Sequence, residues 1–174
     1  MKWVTWENVA VDRMACAWLI SRFIDAKAEF IFVSVGSKRL PMGEPFDIPG
    51  ARLSHRRGHC TFHTILREYK LKDSVLDRIA QIVDEADVVQ EITVEPTALG
   101  LDLICRGIRL TSSDDQTAIE RGRLIYEALY AQLSEDMSSQ SARPLPIKPN
   151  ELQVARQPRR ARNKKSLKKG RRRK

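Results

Sequence analysis

Charge is divided unevenly along this chain, and the division limits how much of it can fold. Residues 138–174 hold 14 Lys/Arg against one acid, Glu151, a net of +13. Residues 1–137 hold 17 Lys/Arg and 21 Asp/Glu, a net of −4. The overall +9 and the pI of 9.8 therefore describe a tail and not the body in front of it. The tail carries Pro144, Pro146, Pro149 and Pro158, and its larger apolar residues are only Leu145, Ile147, Leu152, Val154 and Leu167. That composition buries too little apolar surface to offset chain entropy, so disorder is expected from about residue 138. Residues 1–137 are long enough for one domain with a hydrophobic core. A single basic nucleic-acid-binding globule is excluded, because the folded part is mildly acidic.

Cysteine usage excludes a small disulfide scaffold. Cys16, Cys60 and Cys105 are few, odd in number and far apart, which fits a reducing compartment. No apolar run follows Lys2, so no signal peptide is expected. The longest apolar stretch, residues 14–20, is seven residues long and far short of a membrane span. The expected location is the cytoplasm.

Periodicity predicts a helix-dominated α+β domain with a small sheet. Lys2-Trp3-Val4-Thr5-Trp6 alternates and reads as a strand. Met14, Ala17, Ile20 and Ile24 recur at helical spacing and predict a buried helix over residues 12–26, with Asp12 at its N-terminus. Residues 29–35 are aromatic and β-branched, a second strand. Residues 36–50 hold three glycines and three prolines and read as loop, with Phe46 and Ile48 pinning it to the core. A short strand is expected over residues 51–55. Helices are expected from a Thr61 cap to about Tyr69, from an Asp73 cap through Val83, over residues 96–110, and over residues 114–133. Trp3, Trp6 and Trp18 read as core anchors.

All three histidines, His55, His59 and His63, fall within nine residues, with Cys60 among them. Imidazole and thiolate are the usual ligands of zinc and other first-row metals. His59 and His63 share a face if both lie on a helix, as do Cys60 and His63. Asp84 and Asp87, three apart on a later helix, offer a carboxylate. The expectation is that His55, Cys60 and His63 converge with Asp84 or Asp87. Asp12, Arg13 and Arg56 are secondary candidates. The competing reading has surface histidines on a turn, with Cys60 a small buried side chain at a helix start. An oxyanion is a further option, because Arg56 and Arg57 add charge and a helix beginning near Thr61 would offer free amides. The same position would lower the pKa of Cys60 and make it the reactive thiol. Neither a flavin nor a nicotinamide fingerprint is present, nor a phosphate-cradling glycine loop.

Several blocks carry a family resemblance. Val11-Asp12-Arg13-Met14-Ala15-Cys16 and the residues through Asp25, then Pro45-Phe46-Asp47-Ile48-Pro49-Gly50, resemble the chromate-resistance protein ChrB family in its C-terminal domain. Ser54-His55-Arg56, Cys60-Thr61-Phe62, Ile82-Val83-Asp84-Glu85-Ala86-Asp87 and the stretch from Asp114-Asp115 to Tyr130 extend the similarity, which covers about residues 3–133. The resemblance implies an association with bacterial chromate resistance. Longer members carry an extra N-terminal domain and are implicated in regulating an efflux operon. This chain is expected to lack that domain, and its basic tail is not part of the family pattern. Family members often have an acid where this chain has His63 and a histidine where it has Asp84. The exchange keeps one imidazole and one carboxylate if the two positions face each other.

Three functions follow as expectations. The first is a cytoplasmic sensor or accessory protein that binds a divalent metal or an oxyanion such as chromate through the His/Cys/carboxylate cluster. The second is a metal- or thiol-dependent redox enzyme acting on chromate. The third is a nucleic-acid-associated regulator. There Arg159, Arg160, Arg162, Lys164, Lys165, Lys168, Lys169, Arg171, Arg172, Arg173 and Lys174 would neutralise phosphates without sequence preference.

Overall fold

A computed structural model describes residues 1–88 and 94–141. The tail residues named above lie outside the described residues. Strand β1 (Lys2–Trp6) is followed by α1 (Val11–Leu19), whose last turn widens into a π-helical segment, Ile20–Ile24, and then by β2 (Glu29–Val33). Strand β3 (Glu44–Pro45) precedes α2 (Thr61–Glu68), α3 (Ser74–Asp87), α4 (Thr97–Thr111) and α5 (Asp115–Ser141). The expected helix-dominated α+β domain with a small sheet is what forms.

The sheet has the order β2-β1-β3, and both pairings are parallel. Parallel neighbours need a crossover, and α1 supplies the one between β1 and β2. As the central strand, β1 buries Trp3, Val4 and Thr5 fully. Gly43 lets β3 approach it: a Cβ there would sit 2.8 Å from the Lys2 carbonyl oxygen.

Helix α1 is the axis of the core. Val11, Met14, Ala15, Cys16, Ala17, Trp18 and Leu19 are all buried. Trp18 stacks on Phe62 of α2 and on Tyr126 of α5, with ring centroids 6.4 and 5.9 Å apart. The Tyr126 hydroxyl donates to the Val11 carbonyl at 2.7 Å, tying α5 to the start of α1. One face of α4 stays uncovered by the described residues, with Leu99, Leu103 and Leu110 exposed.

Three boundaries and the burial of one tryptophan differ from the expectations. Residues 51–55 make no strand; Leu53 forms a single bridge to Phe46, and the third strand is Glu44–Pro45 instead. The α2 cap is Cys60, one residue before Thr61. Helix α5 continues through residue 141, past the position where the tail was expected to start. Trp3 and Trp18 are fully buried core anchors, while Trp6 is only partly buried at the edge of a cleft.

Candidate metal centre

The segment carrying the three histidines is a tight reversal. Arg56 and His59 exchange backbone hydrogen bonds at 3.1 and 3.0 Å. Arg57 and Gly58 between them have φ of 55° and 82°. Two central residues with positive φ make the hairpin turn whose twist matches extended flanks. Successive side chains on extended backbone point to opposite faces, so His55 is turned away from the paired residues Arg56 and His59. The reversal splits the histidines into two groups.

The first group is His59, His63 and Asp84. His59 precedes the α2 cap and His63 lies in the first turn, and their rings stack 4.1 Å apart. His59 Nδ1 is 2.7 Å from Asp84 Oδ2, and His63 Nδ1 is 3.3 Å from the same oxygen. The positions of His63 and Asp84 therefore do face each other. One ligand atom from each of the three residues lies within 4.8 Å of the other two. His63 Nδ1 is buried and has no hydrogen-bond partner. An orphaned imidazole nitrogen beside a carboxylate suits a metal ligand, because such a nitrogen needs either a proton partner or an ion. The donor set, two imidazoles and a carboxylate, fits a zinc- or iron-class divalent ion.

Asp84 is held from behind. Its Oδ1 accepts from the Cys60 amide at 2.7 Å, and its side chain is only 9% exposed. Such backing orients a ligand carboxylate. In front of the histidines opens a cleft of about 460 Å³ lined by Arg56, Arg57, Arg67, Thr64 and Glu68. Arg56 lies 3.5 Å from Glu68, so its guanidinium is anchored on the cleft wall.

The second group surrounds His55. Its Nε2 lies 3.2 Å from Asp12, 3.2 Å from Asp47 and 3.3 Å from Asp87. Hydrogen bonding to Asp12 first, then to Asp47, raises the His55 pKa to about 10. Burial first, then repulsion from Asp12, raises the Asp87 pKa to about 6. Arg13 sits 2.7 Å from Asp47 and also donates to the Glu7 and Asn8 carbonyls.

Three expectations need correction. His55, Cys60 and His63 do not converge; Cys60 joins neither group of metal-ligating atoms. The α2 amides are not free for an oxyanion. Cys60 N–H goes to Asp84, while Thr61 and Phe62 N–H go to Asp12 at 2.8 and 2.9 Å. Asp12, expected at the start of its own helix, thus serves the start of α2 from across the core. Finally, Cys60 is not a low-pKa thiol. Burial dominates, assisted by the negative charge of Asp12 and Asp84, and pushes it well above the ordinary value; Cys16 is pushed up for the same leading reason. In this respect Cys60 is the small buried side chain at a helix start.

Sequence reasoning passed over Asp47 as a site residue. Its signal was available: an acid between Phe46 and Ile48 in a Pro/Gly-rich loop, here at φ 50°, a conformation that Asp tolerates better than most residues.

The sequence profile of the ChrB C-terminal domain matches residues 3–133. The chain belongs to the ChrB C-terminal domain family. Protein ChrB of Cupriavidus metallidurans (strain CH34) is 30% identical over 134 residues, which cover 76% of this chain and 41% of that protein. This chain therefore spans about two fifths of the length of that relative. No solved structure matches. Both residue groups lie wholly inside the ChrB-type region, and they divide three consecutive amides at the start of α2: Asp84 of the first takes that of Cys60, and Asp12 of the second takes those of Thr61 and Phe62.

Proposed function

We propose that this ChrB-family chain is a cytoplasmic chromate-resistance protein, a sensor or accessory factor that binds a divalent metal through His59, His63 and Asp84. The observation that carries the reading is the meeting of two imidazoles on one buried, backed carboxylate, with His63 Nδ1 lacking any other partner. Three protein ligands leave room on an ion for a further ligand. The adjoining cleft, lined by Arg56, Arg57 and Arg67, favours an oxyanion of the chromate class there, since guanidinium groups recognise tetrahedral oxyanions by paired hydrogen bonds. The residues of the protein hold and orient; the metal, when bound, supplies a Lewis-acidic contact. Three buried, unpaired cysteines suit the reducing cytosol. Protonated, buried thiols give no support to the thiol-dependent redox enzyme.

Calorimetric titration of the metal-free full chain with Zn2+ tests the reading. The His59→Gln/His63→Gln variant should lose one equivalent of bound Zn2+ relative to wild type, and Arg67→Gln should keep Zn2+ but weaken chromate binding to the loaded protein about tenfold. A Zn2+ stoichiometry unchanged by the double substitution would remove the centre.

The tail supports one addition. Its net of +13 suits weak, sequence-independent nucleic-acid binding, with affinity falling steeply between about 50 and 200 mM salt.

A further inference from the structure

His55 stands at the meeting point of three carboxylates brought from separate parts of the chain. Asp12 comes from α1, Asp47 from the loop after β3, and Asp87 from the end of α3. Their nearest oxygens lie 3.2, 3.2 and 3.3 Å from Nε2. A ring nitrogen carries one proton and directs it along one line, so it serves one of these oxygens well and the others poorly. Atoms that share an ion at about 2.1 Å lie roughly 3.0–3.4 Å from one another across octahedral to tetrahedral angles. The separations around His55 fall in that range.

The surrounding contacts hold the ligand atoms in place. Asp12 is 2% exposed and is held by the Thr61 and Phe62 amides. Asp47 accepts from the Thr61 hydroxyl at 2.6 Å and pairs with Arg13 at 2.7 Å. Such outer contacts preorganise a metal ligand. With His55 neutral, as a metal ligand must be, three carboxylates against the single guanidinium of Arg13 leave two negative charges, which one divalent cation cancels on replacing the imidazole proton in a partly buried setting. Trp6 lines the same cleft, of about 490 Å³, and its buried indole N–H has no acceptor; an oxygen ligand on an ion there would supply one.

We propose that Asp12, His55 and Asp87, with Asp47 beside them, form a second divalent-cation centre, separate from His59, His63 and Asp84. Its donors are chiefly carboxylate oxygens, so it takes a harder ion of the manganese class, whereas the imidazole-rich first centre takes zinc or iron. The two centres are joined through α2, whose consecutive amides hold Asp84 and Asp12. The inference stands without the first centre.

Titration of the metal-free full chain with Mn2+, followed by loss of the free-ion electron paramagnetic resonance signal, tests it. Wild type should bind one equivalent, and His59→Gln/His63→Gln should bind it equally well. Asp87→Asn, nearly the same shape, should weaken binding more than about 100-fold, beyond the tenfold to hundredfold that outer-shell changes produce. His55→Gln should do the same; if it fails to fold, Asp87→Asn carries the comparison, with its thermal midpoint as the folding control. Absence of Mn2+ binding in the wild type would mean a plain ion-pair cluster and overturn the proposal. Binding lost in the double histidine variant but kept in Asp87→Asn would overturn it as well. Mn2+ binding at this centre, together with a Zn2+ stoichiometry that the double histidine substitution leaves unchanged, would instead sink only the first centre.

Discussion

His55 makes the metal-free protein sensitive to alkali. Its folded pKa of about 10 lies above the ordinary value near 6.5. Between those values the folded state keeps a proton that the unfolded state has released, so stability falls as pH rises. The contribution is fully present below about pH 6.5 and gone above about pH 10. Asp87 acts in the same direction at lower pH, because its folded pKa of about 6 exceeds the ordinary carboxylate value and burial penalises its charge. The thermal midpoint of metal-free protein should therefore decline from pH 6.5 to 10, and His55→Gln should flatten that decline. An equally steep decline in the variant would place the sensitivity elsewhere. The cysteines behave differently from what a helix start suggests. All three are buried, and burial is the leading reason that each thiol pKa is raised. A thiol reagent should label none of them faster than the protein opens, with full labelling in denaturant. Rapid labelling of Cys60 alone in the native protein would contradict its burial.

At the scale of elements, the polar contacts that position the centres are helix ends capped from a distance. Asp73 is an ordinary N-cap, and its Oδ1 accepts from Val75 and Leu76 at the start of α3. Its Oδ2 also accepts from the Tyr130 hydroxyl of α5 at 2.7 Å. Asp73→Ala should thus cost about 1–2 kcal/mol, more than an isolated cap, and lower the thermal midpoint by a few degrees. If Tyr130→Phe is fully additive with it, the two contacts are not linked. The start of α2 has no such local cap. Cys60 offers no side-chain oxygen, so the first amides turn to Asp12 and Asp84 of two other helices. That arrangement locks α1, α2 and α3 together at the point where both metal-ligand groups gather.

For the whole molecule, the acidic body and the basic tail should act independently. Cutting the chain after Ser141 retains every described residue of α5. The shortened protein should keep its thermal midpoint and Zn2+ affinity while losing nucleic-acid binding. Salt-insensitive binding by the shortened body would move the nucleic-acid surface out of the tail. Bound metal should raise stability further, by about 2.7 kcal/mol at a free concentration 100 times Kd, provided that the unfolded chain does not bind it.

Local information was enough for the strands at Trp3 and Phe30, the five helices and the Asp73 cap. Each rests on side-chain period or on a cap two or three residues away. The grouping of candidate residues near the chain position of His55–His63 was also legible, because clustered imidazoles are a local property. Only the tertiary structure decided which histidine meets which acid. The turn at Arg57 and Gly58 reverses the chain, so nearness in sequence became separation in space. Asp12 passed for a cap of its own helix because periodicity reports the face it occupies and not the element packed against it. Its amide partners are 49 and 50 residues away. The fate of Cys60 turned on burial, which a helix-start position does not encode: the desolvation of a thiolate outweighs the pull of nearby amides.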